Sequence, residues 1–144
     1  MDQKKILIVD DEVAILELFS TVLASTGHLI TTAKTAKEAR ELLQIQYYNL
    51  VLLDIGLPDM QGTNLIEKIR KLHHEIIIII MTGNPDLQSA LFAINKGANG
   101  YLVKPISVVE LLKCINEKLQ EQDEEIDLND EKMSEWIKNR LSDV

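Results

Sequence analysis

Two short stretches, Leu50–Leu53 and Ile76–Met81, are apolar at every position, and the second is the longest uninterrupted apolar run in the chain. A strand with one face in water alternates apolar and polar side chains, whereas a strand that is apolar throughout must be buried on both faces. These segments therefore belong at the centre of a parallel sheet covered by helices on both sides. The six residues of the longer run also fall short of the roughly 20 needed to span a membrane and of the about 7–15 of a signal-peptide core, so neither is expected.

The remaining sequence repeats one unit. Ile6–Val9 is a further apolar run that ends at Asp10-Asp11, and a helical pattern with Ile15, Leu18, Phe19, Val22 and Leu23 on its apolar face follows until Gly27 stops it. Leu29–Ala33 reads as a second strand, and Thr35-Ala36-Lys37-Glu38 is a capping box that opens a helix to about Gln46. The third strand, Leu50–Leu53, ends at Asp54, and a loop punctuated by Gly56, Pro58 and Gly62 leads to a helix near Thr63–Leu72. The fourth, Ile76–Met81, ends at Thr82-Gly83-Asn84-Pro85, before a helix from about Asp86 to Lys96. A short strand, Gly100–Val103, and a capping box at Ser107-Val108-Val109-Glu110, opening a helix to about Gln122, complete five units. Such alternation predicts an α/β domain, residues 1–122, with a parallel sheet. Its right-handed crossovers place all carboxyl ends along one edge, where ligands of such sheets bind.

Charge narrows the function classes. Of the formal −8, residues 120–144 carry −6, nine acids against three bases, while residues 1–119 hold 14 acids and 12 bases. Neither part offers the basic stripe that neutralises phosphates, so direct nucleic-acid binding is not expected. The single Cys114 cannot form an internal disulfide, which suits a reducing cytoplasmic location and excludes zinc sites built on cysteine pairs. His28, His73 and His74 have no metal-ligand spacing and read as surface residues.

The strand ends carry the chemistry. Asp10 and Asp11 follow the first strand, Asp54 the third, Thr82 the fourth and Lys104 the fifth, so three carboxylates, a hydroxyl and an ammonium converge. Carboxylates gathered in this way repel unless a cation relieves them, and a hard ion with oxygen ligands does so. Magnesium (Mg2+) keeps several waters and typically takes one or two carboxylates plus a phosphate oxygen, so the cluster makes sense with a phosphoryl group present. Lys104 and Thr82 then serve the remaining phosphate oxygens.

The pair Asp10-Asp11, the segment Asp54-Ile55-Gly56-Leu57-Pro58-Asp59-Met60-Gln61-Gly62, Thr82-Gly83 and Lys104-Pro105, in this order and each at a strand end, resemble the receiver domain of two-component response regulators over about residues 4–120. The resemblance implies a doubly wound five-stranded parallel sheet, (βα)5 and flavodoxin-like, with strand order 2-1-3-4-5. It implies that Asp54 accepts a phosphoryl group from a histidine kinase or phosphotransfer protein. Asp11, Asp54 and the Gly56 carbonyl would ligate Mg2+, with Asp10 acting mainly through bound water. Thr82 and Lys104 would stabilise the transferring group. Thr82 would then approach the phosphate and let Tyr101 turn inward, which reshapes the surface around the fourth helix, fifth strand and fifth helix to control an output domain, a homodimer or another partner.

Rival readings leave marks in the sequence. A magnesium-dependent phosphatase that forms an aspartyl phosphate places a second Asp two positions after the nucleophile as general acid; here that position is Gly56, so enzymatic turnover is not expected. A flavin or nucleotide binder would want a Gly-rich or hydroxyl-rich loop after the first strand, where Asp10-Asp11-Glu12 repel phosphate. A degenerate receiver that binds proteins regardless of phosphorylation is the alternative. Beyond it, residues 123–144 form an acidic linker and an amphipathic C-terminal helix, with Met133, Trp136, Ile137, Leu141 and Val144 at helical spacing. The acidic stretch either extends the last helix or frays, and the stripe either packs back on the domain or meets a second chain or an output module.

Overall fold

The computed structural model describes residues 2–60, 62–83 and 86–142. Gln61, Asn84, Pro85 and Val144, used above in loops and in the terminal stripe, lie outside the described residues. The elements are β1 (Lys5–Val9), α1 (Val13–Ser25), β2 (Leu29–Ala33), α2 (Ala36–Ile45), β3 (Leu50–Asp54), α3 (Gly62–Leu72), β4 (Ile77–Thr82), α4 (Leu87–Asn95), β5 (Gly100–Val103) and α5 (Val108–Ser142). All strands are parallel, in the order β2-β1-β3-β4-β5.

Side-chain alternation along the central strands divides the core in two. Leu7, Val9, Val51, Leu53, Ile78 and Ile80 face α2, α3 and α4, whereas Ile6, Ile8, Leu50, Leu52, Ile79 and Met81 face α1 and α5. The two apolar runs are accordingly buried on both faces. Both expected helix caps are formed, the one at Ser107 as a full reciprocal box. Ser107 Oγ accepts from Glu110 N at 3.1 Å while a Glu110 carboxylate oxygen accepts from Ser107 N at 3.3 Å. At α2, Thr35 Oγ accepts from Glu38 N at 3.1 Å, but the return bond runs from Lys34 N, one residue before the cap, to the Glu38 carboxylate at 2.9 Å. Gly27, at φ +94°, ends α1 as expected.

Several expectations need correction. β3 extends to Asp54 and β4 to Thr82, because Asp54 stays in register with Met81 and Thr82 with Val103. In α1 the buried residues are Leu16, Phe19 and Leu23, while Leu18 is 50% exposed. Apolar residues occupy most of that helix, so periodicity alone leaves its phase open. His28 is buried rather than on the surface: its Nδ1 accepts from Lys4 N at 3.1 Å. His73 is half-buried, its ring nitrogen 3.0 Å from Leu43 O, and only His74 is exposed as expected.

The largest departure is α5, which continues past Gln122 to Ser142, 35 residues in all. It contains no Gly or Pro, and its Glu, Gln, Lys and Leu are strong helix formers. Burial changes where the backbone does not: Gln122 is 6% exposed, whereas residues 124–142 are all exposed. The described part of the apolar stripe, Met133, Trp136, Ile137 and Leu141, therefore does not pack back on the domain. Among the described residues, no helix is long and apolar enough to cross a membrane.

Candidate functional site

The parallel sheet brings the carboxyl ends of β1, β3, β4 and β5 side by side, and with them Asp10, Asp54, Thr82 and Lys104. Asp10 follows β1 and is fully buried. One of its oxygens accepts from Glu12 N at 2.8 Å and the other receives Lys104 Nζ at 2.8 Å. Asp54, 6% exposed, accepts from Gly56 N at 2.9 Å on Oδ1, while its Oδ2 lies 3.3 Å from the same Lys104 ammonium. Asp11 is exposed at the mouth. One carboxylate oxygen from each of Asp10, Asp11 and Asp54 lies within 4.8 Å of the others.

Lys104 reaches this cluster because its backbone continues the ladder: its N–H donates to Thr82 O at 2.7 Å, and its peptide with Pro105 is cis. Burial pulls its pKa down, but the hydrogen bond from its ammonium to Asp10 and the charges of Asp54 and Asp10 outweigh that, so it is held above its ordinary value. Burial pushes the Asp10 carboxyl up, opposed by Lys104 and the Glu12 N–H and reinforced by the Asp54 charge. A single ammonium thus sits among three carboxylates with one open side. Hard oxygen donors beside solvent are the donor set Mg2+ takes, so the residues present fit that ion.

Thr82 is 3% exposed at the end of β4, beside Val103 of β5. Tyr101, on the same strand as Val103, packs against the core beneath α4, and its hydroxyl is already buried, with no hydrogen-bond partner among the described residues. Glu12 and Asp59 are named in the sequence motifs above without their partners. Glu12 lies 3.4 Å from Lys104 Nζ and adds a fourth carboxylate. Asp59, three residues before α3 in sequence, instead caps α2: its carboxylate accepts from Ala36 N at 2.9 Å and Lys37 N at 3.0 Å and ties the loop after Asp54 to that helix. The N–H groups of Ala36 and Lys37 hold its pKa below the usual carboxylate range. A groove of about 490 Å³ lined by Ile15, Leu18, Phe19 and Ile106 opens beside Glu12 and Lys104.

Comparison with known proteins agrees with this geometry. Residues 6–116 match the model of the response regulator receiver domain. The transcriptional regulatory protein KdpE of Staphylococcus aureus is 40% identical over 109 residues, 76% of this chain and 47% of that protein. BasR of Escherichia coli is 34% identical over 107 residues, 74% of this chain and 48% of that protein. The chain thus spans about half the length of these curated relatives. Among solved structures, a CheY-like receiver domain protein from Methanospirillum hungatei superposes with a TM-score of 0.83 at 42% identity, covering 86% of this chain and 99% of that one. With the five-strand order and the acidic strand-end cluster in place, the chain belongs to the response regulator receiver domain family.

Proposed function

We propose that Asp54 accepts a phosphoryl group from the phosphohistidine of a histidine kinase or phosphotransfer protein, and that residues 1–122 act as a phosphorylation-driven switch. The observation that carries this reading is the Asp54 carboxylate, held by the Gly56 N–H and Lys104 at the open mouth of a three-carboxylate cluster. An Asp54 oxygen forms the new P–O bond as the donor's P–N bond breaks, and the electron pair returns to the imidazole. Lys104, now beside the transferred group, neutralises one of its oxygens, and Thr82 offers its hydroxyl to another. Asp10, Asp11, Asp54 and the Gly56 carbonyl would hold Mg2+, which neutralises charge on the phosphoryl oxygens when bound. The exposed Leu18 lines the groove beside Lys104, whose ammonium lies 3.3 Å from Asp54, so a donor protein docked at the site would cover both.

Lys104 lies between Asp10 and Asp54 and must reorganise when phosphate arrives, and Thr82 adjoins β5 through its ladder. That couples the site to Tyr101 and the faces of α4, β5 and α5, the surface through which an output domain or partner in the cytoplasm would be controlled. The phosphoryl group is a signal here rather than a turned-over substrate, since Gly56 stands where a proton donor would be needed.

Incubation with acetyl phosphate and Mg2+, followed by peptide mass mapping, should add one phosphoryl group at Asp54. Asp54→Asn should abolish it, and so should a chelator. Labelling at Asp10 or Asp11 in that variant would sink the assignment. A chain that takes no phosphate from either a small donor or a kinase would be the phosphorylation-independent binding module instead.

A further inference from the structure

The exposed half of α5 carries a pattern that its own domain does not use. Leu119, Gln122, Ile126, Asn129, Met133 and Trp136 alternate spacings of three and four residues, the 3.5-residue repeat of a helix that packs along another helix. Leu119 and Gln122 are buried against the sheet and the strand-leading loops, but Ile126, Asn129, Met133 and Trp136 continue the same seam into solvent. Charge along this segment is polarised. Residues 121–131 contain seven acids and no base, whereas residues 132–142 contain Lys132, Lys138 and Arg140 against Glu135 alone.

We propose that this half of α5 pairs antiparallel with the same segment of a second copy of the chain, with Ile126 opposite the partner's Trp136 and Asn129 opposite the partner's Met133. Charge decides the direction. A parallel pair in register would lay the seven-acid stretch beside itself and set Arg140 against its twin in the seam, whereas the antiparallel pair lays the acidic half of each helix beside the basic half of the other.

The root of the helix offers a matching receptor for the tip. Where α5 leaves the domain, a pocket of about 550 Å³ is lined in part by Glu75, Glu121, Gln122, Glu125, Ile126 and Asn129. The cations that also face it are engaged: Arg70 donates to the carbonyls of Gly97, His74 and Ile76 and to the Asn99 side chain, and Lys118 lies 3.4 Å from Glu121. In the antiparallel register the partner's Arg140 comes level with Gln122, at this pocket. Within each chain the Arg140 guanidinium already lies 5.0 Å over the Trp136 ring, so cation and apolar anchor arrive together. The pairing places the two receiver domains at opposite ends of a rod about 30 Å long.

The full chain should sediment as a dimer at tens of micromolar, and Trp136→Ala should raise the dissociation constant by about tenfold or more, as loss of a buried aromatic anchor does. Orientation is read by cross-linking in a Cys114→Ser background. A mixture of Asn129→Cys and Met133→Cys chains should form the mixed disulfide in preference to either self-coupled product. Both substituted positions are exposed, so neither change threatens the fold. A chain that stays monomeric at a few hundred micromolar overturns the proposal. So does a dimer in which Asn129→Cys couples mainly to itself, or in which no pair couples.

Discussion

Lys104 faces more negative charge than it can neutralise. Its ammonium lies 2.8, 3.3 and 3.4 Å from carboxylate oxygens of Asp10, Asp54 and Glu12, and Asp10 has no contact with solvent. Lys104→Ala should therefore destabilise the ion-free chain by about 2–3 kcal/mol, because it strands buried carboxylates rather than removing one contact. Added Mg2+ should then raise the melting temperature of the variant more than that of the wild type; an equal rise in both would mean that Lys104 does not offset the carboxylates. His28 gives a separate pH signature. Burial, with the Lys4 charge, lowers its pKa below the ordinary value of about 6.5, and its Nδ1 must stay unprotonated to accept from Lys4 N. Between the two values the unfolded chain binds a proton that the folded chain does not. Stability is thus complete above about pH 6.5 and falls as pH drops through it, until the folded-state value is reached. Urea midpoints at about pH 7.5 and about pH 5.5 should differ less in His28→Gln than in the wild type, and identical differences would remove His28 as the cause. The strand-end residues were legible because each is a polar residue that terminates an apolar run. His28, Glu12 and Asp59 were not, since the partners that define them come from distant segments or from a side chain's reach.

At the level of elements, what the sequence made plain was what local chemistry dictates. The helix caps at Thr35 and Ser107, the glycine stop at Gly27 and all five strands are set by residues within a few positions of one another. Strand ends at Asp54 and Thr82 depended on ladder bonds to neighbouring strands, and the phase of α1 on which of its many apolar residues the sheet covers. The phase is open to direct test. Leu16→Ala should cost about 2–5 kcal/mol because Leu16 fills the core between α1 and the sheet. Leu18→Ala should change stability by no more than about 0.5 kcal/mol. Denaturant midpoints measured for both variants check this, and a larger loss at Leu18 would reverse the assigned face.

The whole molecule is organised around α5, which begins beside Lys104-Pro105 at the site edge and leaves the opposite edge at Gln122. Its exit is fixed by two contacts from different parts of the fold. The Gln122 amide donates to Asn49 O at 3.2 Å and Glu75 O at 2.8 Å, the residues that lead into β3 and β4, and Asp123 accepts from Lys4 Nζ at 2.6 Å, just before β1. No sequence pattern announces this, because a glutamine in a run of glutamines and acids reads as a solvated face. Burial of this one amide, bonded to the residues that lead into both central strands, ties α5 to the sheet at the point where its buried face ends. Gln122→Ala removes the donor from two carbonyls at the sheet edge and should cost about 1–3 kcal/mol. Amide exchange should quicken in residues 119–130 and at the starts of β3 and β4, while the phosphorylation proposed for Asp54, at the other end of the strands, should keep its wild-type rate with acetyl phosphate. If exchange changed only within α5 itself, the glutamine would be a helix residue like its neighbours and the exit of the helix would be held by Lys4 and Asp123 alone.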